Sequence, residues 1–141
     1  MAPLRGAVGF MSLATIWVAG CATSDLKSIQ GSWTGREKNR GIECKVVVSG
    51  NHVDFTLPNT GEWYKGAIAI DEKAVPKAVD YIIAECAAPQ YVGKTSKGIY
   101  EIKDGTLTMA ANEPGSGTRP VSFESADAAR IFVLTRDAGA K

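Results

Sequence analysis

The residues that could do chemistry are few. His52 is the single histidine in a chain of 141 residues, and there are three cysteines, Cys21, Cys44 and Cys86. His52 and Asp54, at i and i+2, share one face of a strand and would suit a Ser–His–Asp relay. No serine is brought to meet them. His52 follows the turn residue Asn51 and reads as a surface position. A zinc site would need two thiols, the imidazole and a carboxylate to converge, and the spacing 44…52…86 matches no zinc pattern. Asp71-Glu72 falls in a turn and reads as solvated charge. Gly115-Ser116-Gly117 has the composition of a phosphate loop without the Lys-Ser/Thr pair or the helix that phosphate binding needs. With no convergent acid, base or nucleophile, the chain reads as a non-enzyme, with no cofactor and no metal.

Charge excludes two further classes. The chain holds 16 Lys+Arg against 15 Asp+Glu, a net of +1. That balance argues against nucleic-acid binding by bulk charge and supplies no polybasic membrane patch. With 45% hydrophobic and 22% charged residues, the composition is that of one ordinary globular domain.

The third cysteine has a different setting. Arg5 is the only charge among residues 1–20, and an uncharged stretch, Gly6 to Gly20, follows it. That stretch is too short to span a bilayer, which takes about 20 residues. It reads as a secretory signal. Its end, Val18-Ala19-Gly20-Cys21, resembles the bacterial lipobox. The resemblance implies cleavage before Cys21 and lipidation of its thiol; the alternative is an ordinary signal peptide cut near Ala22. Removal of residues 1–20 leaves 15 basic and 15 acidic side chains, so lipid and not charge would supply the anchor. Ala22 is not Asp, which by resemblance to the usual sorting pattern points to the outer membrane, facing the periplasm. The expected organisation is a signal peptide over 1–20, a lipidated tether with a short helix over 21–30, and a barrel domain over 31–137. An irregular linker is the alternative to that helix.

The elements that must position any site are strands. Period-2 patterning and turn signals predict Ser32–Glu37, Glu43–Val48, His52–Leu57, Glu62–Ile70, Ala78–Ala84, Gly98–Lys103, Thr106–Ala111 and Arg130–Arg136. Asp104-Gly105 is a strong hairpin signal, because a type I′ turn needs φ > 0 at both central residues. Eight short strands with mostly short turns predict an all-β fold, a small antiparallel up-and-down barrel whose closure removes exposed edges.

Four stretches then become familiar in order: Ile29-Gln30-Gly31-Ser32-Trp33, Val75-Pro76-Lys77-Ala78-Val79-Asp80, Gly98-Ile99-Tyr100-Glu101-Ile102 and Arg119-Pro120-Val121-Ser122-Phe123. They resemble a bacterial lipocalin-like domain family, expanded in planctomycetes and without assigned activity. The likeness runs from about Leu26 to Arg136; it implies a small β-barrel and carries over no catalytic residue. Gly31-x-Trp33 also resembles the opening of lipocalins, which implies that a last-strand arginine, here Arg136, packs on Trp33 and closes the barrel base. Up-and-down topology independently brings strand 1's start beside strand 8's end. Trp33 as a plain core aromatic is compatible with both.

Strand parity puts the two longest connections, 85–97 and 112–129, at the mouth opposite Trp33. Long loops on a rigid scaffold favour binding there. Tyr64, Tyr81, Tyr100 and Phe132 are the candidate ligand-lining residues, unless these and other bulky side chains fill the barrel. The expected partners are a membrane, through the lipid, and a small apolar ligand or an envelope protein. A periplasmic protease or lysozyme inhibitor is the alternative, with Ser116 to Arg119 as the loop such an inhibitor would present. In an oxidising compartment Cys44 and Cys86 are expected to pair as a disulfide, although strands 2 and 5 are not neighbours; two free thiols are the alternative.

Overall fold

The computed structural model describes residues 24–124 and 127–137. A short helix α1 (Ser24–Ser28) leads into eight strands, β1 (Gly31–Glu37), β2 (Glu43–Ser49), β3 (His52–Leu57), β4 (Glu62–Asp71), β5 (Ala78–Cys86), β6 (Thr95–Lys103), β7 (Thr106–Ala111) and β8 (Arg130–Arg136). A 3₁₀ turn, Pro89–Tyr91, interrupts the β5–β6 connection. Each strand pairs antiparallel with the next, and β8 returns to β1, so the sheet is a closed eight-stranded barrel. No helix among the described residues is long and apolar enough to cross a membrane. Residues 1–23, with Cys21 and the lipobox-like stretch, lie outside the described residues.

Alternation decides which residues fill the barrel. Val46 and Val48 of β2, Val53 and Phe55 of β3, Tyr100 of β6 and Leu134 of β8 are among the buried residues of one inner cluster. Leu26 and Ile29 of the α1 segment pack into it from one end. Closure of so small a ring requires strands to come very near each other. A Cβ on Gly35 would lie 1.8 Å from the Val133 carbonyl oxygen, and one on Gly66 would lie 2.0 Å from that of Ile82. Both glycines are therefore needed where the sheet coils tightly. The β6–β7 hairpin turns at Asp104 (φ 52°) and Gly105 (φ 78°), the geometry of the expected type I′ turn.

A second, smaller core lies outside the barrel. Ile99, Ala110 and Ile131 form one row across β6, β7 and β8, on the face opposite Tyr100, Met109 and Phe132. They are buried with Ala128, and Phe123 packs on them. The 112–129 connection thus folds back over the outer wall. Arg119 fastens it, with Nη1 2.8 Å from Asp80 Oδ1 and 2.9 Å from the Gly98 carbonyl oxygen.

Candidate functional site

The base of the barrel, at the Trp33 end, is shut. Ile29 packs into the inner cluster, and the Trp33 indole N–H donates to the Ile29 carbonyl oxygen at 2.9 Å. The Arg136 guanidinium sits 4.3 Å from the Trp33 ring centre and donates to the carbonyl oxygens of Ser28 and Gln30. The Gln30 side chain donates to the Gly50 carbonyl and accepts from the Gly50 N–H. From inside the barrel, the Tyr100 hydroxyl donates to Asp25 Oδ2 at 2.6 Å, and Lys77 reaches the same oxygen at 2.9 Å. The Tyr100 hydrogen bond, with help from Lys77, holds the Asp25 carboxyl below its ordinary pKa.

The mouth is built from three charged strand ends. Glu37 closes β1, Glu62 opens β4 and Arg130 opens β8. In a ring of eight, β4 stands opposite β8, so Arg130 reaches its β1 neighbour and also spans the mouth. Its Nη1 lies 2.9 Å from Glu62 Oε2 and its Nη2 3.0 Å from Glu37 Oε1. Arg40 adds a second bond to Glu37 Oε1 at 2.7 Å. Glu37 is only 2% exposed. Burial alone would raise its pKa, but the two arginines outweigh burial and hold it below the ordinary value. Hydrogen bonding to Arg130 likewise lowers Glu62. Burial opposes charge on Arg130, yet its two glutamates raise its pKa above the ordinary arginine value.

Beside this clamp the mouth opens into a cavity of about 210 Å³. Its lining includes Phe55, Tyr64, Tyr81 and Phe132, with Tyr91, Asn112 and Glu113 from the two long connections. Phe55 meets the Phe132 ring edge-on at 4.8 Å and the Tyr64 ring edge-on at 6.3 Å. The Tyr64 hydroxyl donates to Glu62 at 3.1 Å, and that of Tyr81 donates to the Tyr64 carbonyl at 2.8 Å. Burial pushes the Tyr64 pKa up to about 12 and also raises that of Tyr81. Below lies a smaller apolar cavity of about 70 Å³ that shares Phe55, Tyr81, Ser96, Ala111 and Phe132 with the first. Tyr64, Tyr81 and Phe132 thus meet at the mouth, whereas Tyr100 lines the inner cavity and not the mouth, and turns its hydroxyl to the base.

The expected disulfide is corrected: Cys44 and Cys86 are both free thiols. Cys44 faces the interior from β2 and is fully buried, while Cys86 ends β5 opposite Tyr64. Strands β3 and β4 stand between β2 and β5, and the 87–94 connection does not lean across to join the two cysteines. The Cys86 thiol is instead 3.0 Å from the Ala88 carbonyl. Burial first, then the Glu37 charge, pushes the Cys44 thiol up to about 11. His52 Nε2 is 3.3 Å from Asp54 Oδ1; His52 is exposed and Asp54 half-buried. Among the described residues no group of His, Cys, Asp and Glu could hold a metal ion. Comparison of this chain with family models, curated proteins and solved structures gives no match.

Sequence reasoning missed the Arg130 clamp and the outer core. A signal existed for each. Glu37 shares strand parity with Trp33, Glu62 with Tyr64 and Arg130 with Phe132, so all three charges point inward at one end. Ile99 beside Tyr100, and Ile131 beside Phe132, make β6 and β8 apolar on both faces, the mark of strands covered on both sides.

Proposed function

We propose that this chain is a lipocalin-like envelope lipoprotein whose barrel holds a small apolar ligand at its mouth, without catalysis. One observation carries the reading: the cavity of about 210 Å³ opens between the two long connections and is walled by Phe55, Tyr64, Tyr81 and Phe132. A dry cavity of about 150 Å³ accepts benzene, so this one has room for a single substituted ring. Lipidation at Cys21 fits the closed base. Two residues, Ala22 and Thr23, separate Cys21 from Ser24, and the three steps between them extend at most about 11 Å. The base would then lie close to the bilayer, with the mouth turned away from it towards the periplasm.

The inhibitor reading has less support. Arg119, the basic residue of its candidate loop, is tied to Asp80 and the Gly98 carbonyl. The segment before β1, which an arm-inserting inhibitor would extend, packs into the barrel base.

Line broadening of 4-fluorotoluene in ¹⁹F NMR tests the cavity. Broadening is expected with the unaltered protein and its loss with Ala111→Phe, which places a ring where the two cavities meet. No broadening with the unaltered protein would remove the small-ligand reading and leave the two connections as a protein-binding surface. The anchor has its own test. Cys21→Ala should shift the protein from the membrane pellet to the soluble fraction of a Gram-negative host, and unchanged fractionation would refute lipidation.

A further inference from the structure

Resting on the reading that the mouth cavity takes a small ligand, we propose that this ligand is an aromatic amine, its apolar ring inside and its ammonium at the rim beside Glu113. The argument is an inventory of hydrogen-bonding capacity around the cavity. Six lining side chains carry donors, and each is already committed to an acceptor within the protein. Tyr64 donates to Glu62, Tyr81 to the Tyr64 carbonyl, and Tyr91 to Glu113 at 2.8 Å. Ser96 donates to the Asn112 carbonyl at 2.7 Å. The Asn112 amide nitrogen donates to the Thr118 carbonyl and hydroxyl oxygens, while its oxygen accepts from the Ala129 N–H.

Arg130 is the decisive case, because a cation lining a cavity would ordinarily recruit a carboxylate. Its Nε contacts Glu37 Oε2 at 3.3 Å, its Nη1 contacts Glu62 Oε2, and its Nη2 contacts both Glu37 Oε1 and Glu62 Oε1. Four of its five N–H groups are thus held by two carboxylates. An anionic ligand would have to compete with both and lie beside them.

The acceptors differ: Glu62 already receives Arg130, Tyr64 and Thr60, whereas Glu113 keeps an oxygen free. Glu113 is exposed, and only its Oε2 receives Tyr91 among the described residues. Tyr91, Glu113, Glu62 and Arg130 all line the same cavity. The charges lining the cavity are Glu62, Glu113 and Arg130, a net of −1. Behind them Glu37 is offset by Arg40. Lys94 is exposed, with its stem along Gly115, and does not line the cavity. A cavity walled by aromatic rings, with its donors taken and an acceptor free on Glu113, suits a ligand that is itself a cationic donor.

The test compares three probes of one size against the intact protein: 2-phenylethylamine, 2-phenylethanol and 3-phenylpropanoate, with dissociation constants from calorimetry or ligand-observed NMR. The amine should bind tightest and the carboxylate weakest, about tenfold apart. Glu113→Gln should shrink the amine's advantage over the alcohol, and the residue's exposure keeps the fold out of question. A carboxylate that binds as well as the amine would overturn the inference while leaving the cavity reading intact. An amine preference unchanged in Glu113→Gln would overturn it as well. If none of the three binds, and 4-fluorotoluene does not either, the cavity reading itself fails and takes this inference with it.

Discussion

Arg136 and Arg130 stand at opposite ends of β8 and face the same interior, yet one shuts the barrel and the other frames an opening. At the base Arg136 meets an aromatic ring and two backbone carbonyls, and α1 packs in beside it. At the mouth Arg130 meets two carboxylates on opposite walls, and a cavity of about 210 Å³ remains beside it. The difference lies in the partners. Neutral carbonyls let Arg136 stay at the solvent edge as a lid over Trp33. Carboxylates draw Arg130 inward, and a charged crossbar cannot be packed over with apolar residues without loss.

This comparison can be broken most forcefully at Arg130. Arg130→Met leaves Glu37 buried, with only Arg40 to balance it, and should cost about 3 kcal/mol in urea denaturation, because stripping one partner from a buried pair is far worse than removing both. Adding Glu37→Met should recover part of that loss. A single variant within about 1 kcal/mol of the unaltered protein would mean that the clamp is ornamental and behaves like a surface ion pair.

Acid should separate the two ends next. Glu37 and Glu62 at the mouth and Asp25 at the base all have pKa values depressed in the folded state. Their stabilisation is therefore complete above the ordinary carboxylate range and is lost as pH falls through the depressed values. The urea midpoint should drop between pH 7 and pH 3. In Arg130→Met the same interval should produce a shallower drop, with Asp25 contributing most of what remains. An unchanged slope would place the acid-sensitive groups elsewhere.

The smallest effect belongs to the base. Arg136→Met loses an exposed cation–π contact and two hydrogen bonds to backbone carbonyls, and should cost about 1 kcal/mol. Trp33 remains buried beneath α1, so near-ultraviolet circular dichroism should change little. A loss as large as that of Arg130→Met would erase the contrast between the two ends.

Much of the barrel was legible because its signals are local. His52–Leu57, Thr106–Ala111 and Arg130–Arg136 begin and end where alternation and turn residues put them. The others run longer by one to three residues: β5 continues to Cys86 and β6 starts at Thr95, shortening the connection taken as 85–97. Periodicity was silent there because strand pairing continues past the point where apolar alternation stops. The pairing of Trp33 with Arg136 followed from strand count and direction.

By itself, then, the sequence determined the strands, their inward faces, the two ends and which connections gather at the mouth. Alternation and turn chemistry act between near neighbours, and a meander converts them directly into a ring. Only the tertiary structure decided that Arg130 would grip β1 and β4 together, that 112–129 would fold over Ile99 and Ile131, and that Cys44 and Cys86 would stay apart. Each of these depends on distances across or around the closed ring between residues far apart in the chain. Those distances arise from how far side chains reach once the barrel has closed, which no local pattern encodes.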